Sequence, residues 1–231
     1  MKLITTFLIT LLIGLSFGGD RLEKIQADIE TRMWKQGNST RINSTVFYHV
    51  NGTMLTHFSH PFERIIRTNH LGEFLIYDPE TGEVIREQNR AMSSESNHFF
   101  HFFQNKTEEM GLDQLGFEQG DTEFDENIRI TTWYAPTHLA QTVEYVELVH
   151  DRFRPIFMGA YNRQGEVIQK TYFHNYIDIL DYEFPQSITI IDFETPADST
   201  VSQTRFRNIR INEDVNPELM EIQIPDPDEI E

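Results

Sequence analysis

Most of this chain follows the two-residue period of a β-strand, and one segment does not. From about residue 43 onward, short runs of β-branched and aromatic residues alternate with polar ones. A chain of that kind builds sheets with one apolar face, and that face has to be covered. The exception is Asn97-His98-Phe99-Phe100-His101-Phe102-Phe103, where adjacent rings cannot share one face of a strand. The spacing predicts a helix there instead, set inside an otherwise β-rich chain. With 18 Phe and no Cys, packing and hydrogen bonds must hold the fold without disulfides, and the aromatic area needs a destination. It is either ordinary core or the wall of a cavity that holds another molecule's hydrocarbon.

Turn signals divide the strands. Segments near 43–50, 53–59, 62–68, 73–78 and 83–86 read as an antiparallel meander, with Asn51-Gly52 as a hairpin turn and Asn69–Gly72 and Asp78–Gly82 as the next turns. Strands resume at 128–134, 143–149, 154–158, 167–174, 187–193, 200–211 and 219–224. Before the meander, Leu22, Ile25, Ile29 and Met33 recur at three-to-four-residue spacing, which predicts a helix over 20–34. In the middle, Ser93 is a candidate cap and Asn97 to Met110 the helix body. Phe99, Phe102, Phe103, Lys106 and Met110 share one broad side, and Phe100 widens it. The expected fold is mainly β with α. It is a single highly curved antiparallel sheet, an unclosed β-barrel of about 10–11 strands, covered by an N-terminal helix and a mid-chain helical lid.

Met1-Lys2 followed by the apolar run Leu3–Phe17 reads as an export signal, with cleavage expected after Gly18 and residues 19–231 as one domain. A formal net charge of −18 repels nucleic acid and anionic surfaces, so no nucleic-acid partner is expected.

The early run Asn51-Gly52-Thr53-Met54, then Ser59-His60-Pro61-Phe62-Glu63-Arg64-Ile65-Ile66, then Gly72–Pro79, is followed late in the chain by Thr204–Asn212 and Met220–Pro225. In that order, after an export signal, these motifs resemble the bacterial periplasmic lipoprotein carriers, the LolA-like family. The resemblance implies a soluble periplasmic carrier that binds the acyl chains of lipoproteins or other lipids in its cavity. It would receive them from an inner-membrane lipoprotein-releasing transporter and pass them to an outer-membrane acceptor. His60 stands where the family's well-known carrier has an Arg that clasps the lid. A neutral His is a weaker clasp and would make opening pH-sensitive, with Arg64 or Arg67 as substitutes.

The candidate plug is Phe99, Phe100, Phe102, Phe103 and Met110. Same-face pairs that could line the sheet's inner wall are Phe47 with His49, Phe74 with Ile76, Ile130 with Thr132, and Ile191 with Phe193. The alternative for all of these is plain core in an exported, non-catalytic protein-binding or sensor module on the same curved sheet. No Gly-x-Ser-x-Gly, P-loop or His-Glu-x-x-His motif occurs, and the reading is not an enzyme. Asp151, His150 and Tyr161 are the groups that acid–base chemistry could draw on. His98 with His101, or His57 with His60, has metal-ligand spacing but lacks a third ligand unless Glu95 or Glu108 serves, so neither metal nor cofactor is expected. Asn38, Asn43, Asn51 and Asn105 head N-glycosylation sequons, which carry no meaning in a periplasm.

Overall fold

The computed structural model describes residues 21–195, 198–216, 218, 222, 224 and 225. The expected leader and its cleavage site lie outside these residues. Two meanders make one 13-stranded antiparallel sheet. The first runs through β1 (Lys24–Lys35), β2 (Asn38–His49), β3 (Met54–His60), β4 (Arg64–Thr68), β5 (Glu73–Tyr77) and β6 (Val84–Gln88). The second runs through β7 (Glu118–Asp125), β8 (Ile128–Tyr134), β9 (Tyr145–Asp151), β10 (Arg154–Tyr161), β11 (Val167–Ile179), β12 (Tyr182–Thr195) and β13 (Asp198–Ile211). β1 pairs with β13, with Ile29 opposite Phe206, so the first and last strands form the centre and β6 and β7 are the two edges. The short helix α1 (His98–Phe103) lies in the connection between those edges.

The N-terminal helix expected over 20–34 is not there. Residues from Lys24 form β1, hydrogen-bonded to β2 on one side and β13 on the other. The same residues support both periods. Ile25 and Ile29 fit a helical stripe, but with Ala27 between them they also make the inward row of a strand, and all three join the main core. Two partner strands supply the pairing that decides between them, and no local pattern reports that. Among the described residues, the α-helical cover of the sheet is therefore α1 alone, in the mid-chain connection. That connection holds one short α-helix, preceded by 3-10 turns at Arg90–Met92 and Ser94–Ser96. The strand expected at 219–224 falls largely outside the described residues.

Each face of the sheet has its own core. On the inner face, Ile25, Val46, Tyr48, Leu148, Phe173, Phe184, Ile188 and Phe206 gather with the rings of α1. On the outer face of β2 to β5, Phe47, Leu55 and Ile65 pack with Val215 and, from the C-terminal segment, Ile222 and Ile224. Phe47 lies between Val46 and Tyr48, so strict alternation sends it to the opposite side from them. Arg67 fastens the C-terminal segment by donating to the Ile222 carbonyl at 2.6 Å, and the Asn216 amide donates to Gln26 Oε1 at 3.0 Å.

Candidate functional site

α1 begins where Asn97 Oδ1 accepts from the Phe99 amide at 2.9 Å, so Asn97 is the cap, while Ser93 caps the preceding 3-10 turn. It ends after six residues, short of the expected Met110. Asn105 adopts a left-handed conformation (φ 54°), and the Lys106 amide reaches back to the His101 carbonyl at 2.8 Å. That is the Schellman stop, for which Asn is the usual substitute when Gly is absent. Asn105 was therefore the sequence signal for the helix end. Gly111 (φ 82°) then lets the chain pass over His101, since a Cβ there would lie 2.6 Å from the imidazole.

A six-residue helix has almost no stability of its own, so its packing holds it in place. Phe99, Phe102 and Phe103 surround Phe184 of β12, with ring centroids at 5.2, 5.5 and 5.1 Å. Phe99 also meets Phe206 edge-on at 5.3 Å, and Phe102 meets Phe173 at 5.9 Å. All four phenyl groups of the helix, with Met110, are buried in the main core. The plug residues named from sequence are thus brought together, against β11, β12 and β13.

Polar bonds hold the two ends of this cover. Before α1, Ser94 Oγ donates to the Gly52 carbonyl at 2.6 Å, and Thr68 Oγ1 to the Met92 carbonyl at 2.7 Å. The Asn89 amide donates to Gly72 at 2.8 Å, where the backbone passes so close that a Cβ on Gly72 would meet Asn89 O at 2.4 Å. After α1, His150 Nε2 donates to the Thr107 carbonyl at 2.8 Å, and Arg129 pairs with Glu108. The first set belongs to the β1–β6 meander and the second to the β7–β13 meander, so the cover bridges the two halves.

The histidines of the cover are held neutral. Burial pushes His98 down to about 4, with its ring edge-on to Phe173 at 5.8 Å. His101 is also pushed down to about 4, by burial first and then by the charges of His98 and Lys106. Burial lowers His150 as well.

The other sequence candidates are dispersed. Phe74 is buried beside a cavity of about 600 Å³, where Thr53, Arg67, Thr68, Arg86 and Gln88 also contribute to the wall. Ile76 is half-buried on β5, on the same side as Phe74. Phe47 joins the outer core. On β8 the buried members are Thr131 and Trp133, which leaves Ile130 half-buried on the alternate side. On β12, Phe184, Ile188 and Ile190 turn inward, and Ile191 and Phe193 are half-buried with the other parity; Lys170 Nζ sits 5.7 Å from the Phe193 ring. His60 is exposed at the end of β3. Arg64 pairs with Asp78 at 2.7 Å and Arg67 holds the Ile222 carbonyl, so both guanidinium groups are engaged away from α1.

Nothing assembles the acid–base set. Tyr161 donates to Glu147 at 2.8 Å and lies opposite Tyr145, five residues along β9 from His150, a separation of roughly 16 Å. Among the described residues, no three His, Cys, Asp or Glu side chains gather where they could hold a metal ion. No described helix is long and apolar enough to cross a membrane.

No protein-family model matches the chain, and no curated protein matches its sequence. Solved structures do match it. A LolA superfamily protein from Nitrosomonas europaea superposes with a TM-score of 0.56 at 13% identity, over 86% of this chain and 90% of that one. The likeness is one of fold, a curved and unclosed antiparallel sheet. A putative outer membrane lipoprotein-sorting protein domain from Vibrio parahaemolyticus gives 0.57 at 15% identity, over 85% and 88% of the two chains. A DUF1329 family protein from Desulfovibrio piger gives 0.59 at 11% identity, over 88% and 91%. The thirteen strands exceed the 10–11 expected from sequence. The additions are β1, which replaces the expected helix, and the edge strand β7.

Proposed function

We propose that this chain is an exported periplasmic carrier that shelters the acyl chains of a lipidated protein, or of another lipid, on the inner face of its sheet, with α1 as a displaceable plug. One observation carries the reading. The inner face is filled by the rings of a six-residue helix whose polar fastenings lie in the segments on either side of it. The middle of the cover is held by apolar contact, and apolar contact is what an acyl chain can replace.

The magnitudes allow the exchange. Withdrawing four phenyl groups forfeits about 10 kcal/mol of burial, and about 15 methylenes of an acyl chain return about 12. Two terms of similar size make uptake and release reversible, as a shuttle requires. When empty, the plug keeps the greasy face out of water, where it would otherwise drive aggregation. The relative from Vibrio parahaemolyticus bears a lipoprotein-sorting description, which fits this reading. The partners it implies are a donor at the inner membrane and an acceptor at the outer membrane.

The test is native mass spectrometry of the full chain incubated with a triacylated lipopeptide, with Trp133, buried in the same core, as a fluorescent reporter of displacement. The expected result is a stoichiometric complex and a changed Trp133 emission. Phe102→Asp should expel α1 and impair retention while the sheet keeps its far-ultraviolet signature. A protein that takes up no lipopeptide and unfolds with Phe102→Asp would overturn the carrier reading and leave the rings as plain core, because an unpaired buried carboxylate is costly.

A further inference from the structure

We infer that the outer face at the centre of the sheet is a binding site for a phosphate-type oxyanion, built by Arg32, Arg41, Arg205 and Arg207. The inference does not depend on the carrier reading, which concerns the opposite face.

Registration places these residues side by side. Arg41 of β2 is opposite Arg32 of β1, which is opposite Gln203 of β13. In the next outward-facing row Asn43, Glu30 and Arg205 align, and in the one after it Thr45, Asp28 and Arg207. The neighbouring positions Ala27, Ile29 and Phe206 belong to the inner core, so this grid faces away from it. Acidic residues outnumber basic ones by 37 to 19 in the whole chain, so an average patch of its surface is acidic. Here the ratio is reversed, with four arginines beside Asp28 and Glu30.

Those two carboxylates do not use up the arginines. Asp28 is bonded by neutral donors, Thr45 Oγ1 at 3.1 Å and Asn208 Nδ2 at 2.7 Å. Glu30, whose side chain is only 15% exposed, sits beneath the cluster with Arg32 Nε at 3.0 Å. Arg41 and Arg207 approach it only to 3.8 and 3.9 Å, beyond hydrogen-bond reach, and their side chains remain 52% and 57% exposed. They come from strands on either side of β1, about 10 Å apart across the sheet, and from rows four residues apart along it, about 13 Å, so their backbones are about 16 Å apart and only the guanidinium ends converge over Glu30. Each guanidinium presents five donors in a planar fork that matches a phosphate edge. Glu30 therefore draws Arg41 and Arg207 toward a common point and leaves their donors open to solvent. A phosphate seated between them would be gripped from both sides. A lipid head group and free phosphate present the same chemistry.

The test uses the full chain in two arms. In the first, the arginine Nε–H resonances are followed as inorganic phosphate replaces chloride at constant ionic strength. The expected result is a saturable shift of Arg41 and Arg207, weakened about tenfold or more in the double variant Arg41→Gln/Arg207→Gln, in which exposed side chains change and folding is retained. Glu30→Gln removes the competing carboxylate and should tighten binding severalfold. A cluster that serves only to neutralise Glu30 predicts the opposite: no saturable phosphate shift in any form. In the second arm, co-sedimentation with phosphatidylglycerol vesicles, lost in the double variant and absent with phosphatidylcholine, assigns the phosphate to a lipid. A phosphate response without co-sedimentation assigns it to a free anion. Failure of both arms, or a response unchanged by the double variant, overturns the inference.

Discussion

His150 Nε2 lies 2.8 Å from the Thr107 carbonyl oxygen and ties β9 to the segment that leaves α1. The bond fixes the tautomer, since a carbonyl can only accept, so Nε2 carries the proton. His150→Leu keeps the volume and removes the donor. The half-buried Thr107 carbonyl then loses its partner, which costs about 0.5–1.5 kcal/mol. Urea unfolding should show that loss, with faster amide exchange confined first to residues 106–112. His150→Gln, which retains a donor, should recover part of it.

Phe184 is the hub of the ring cluster, with Phe99, Phe102, Phe103 and Phe206 within 5.5 Å, centroid to centroid. Phe184→Ala opens a cavity at the point where the plug meets the sheet and should cost about 3–5 kcal/mol. Thermal unfolding measures it. Phe193→Ala, half-buried on the opposite parity of the same strand, should cost much less.

Acid should loosen the cover. His98 and His101 sit at about 4 in the fold and near 6.5 in an unfolded chain, so between those values the unfolded state binds more protons. Stability from the neutral rings is complete above about pH 6.5 and is lost as pH falls toward 4, on the order of 3 kcal/mol per ring once both are charged. Urea midpoints at about pH 7.5 and about pH 4.5 should differ sharply in the native protein and by less in His98→Asn/His101→Asn.

Asn105 stops α1 in a left-handed conformation. Asn105→Gly should be neutral within a few tenths of a kcal/mol, whereas Asn105→Val should cost about 1–2 kcal/mol, because a β-branched side chain clashes there. Calorimetric midpoints distinguish the two.

Legibility in the sequence followed the range of the interactions. The alternation of β2 to β5 and the Asn51-Gly52 turn are local, and both appear where expected. The density of rings at 99–103 showed that the segment was inward-facing and helical. What failed depended on distant partners. β1 looked helical because Ile25 and Ile29 fit that period and its two neighbouring strands lie far off in sequence. β7 was missed because Glu118, Asp121, Glu123 and Asp125 leave an edge strand without an apolar face. The side taken by Phe47 was decided by Val215, Ile222 and Ile224 arriving from the other end of the chain. The arginine grid could not be read at all, since its rows join residues about 160–180 positions apart.

The pairing of β1 with β13 has a consequence for biogenesis. Because the sheet's opening strand waits for its closing strand, a chain halted before β13 holds two separate ribbons, each with a bare inner margin ready to zip onto a stranger. Handling by chaperones should therefore matter most in the interval between the emergence of β12 and the docking of β13.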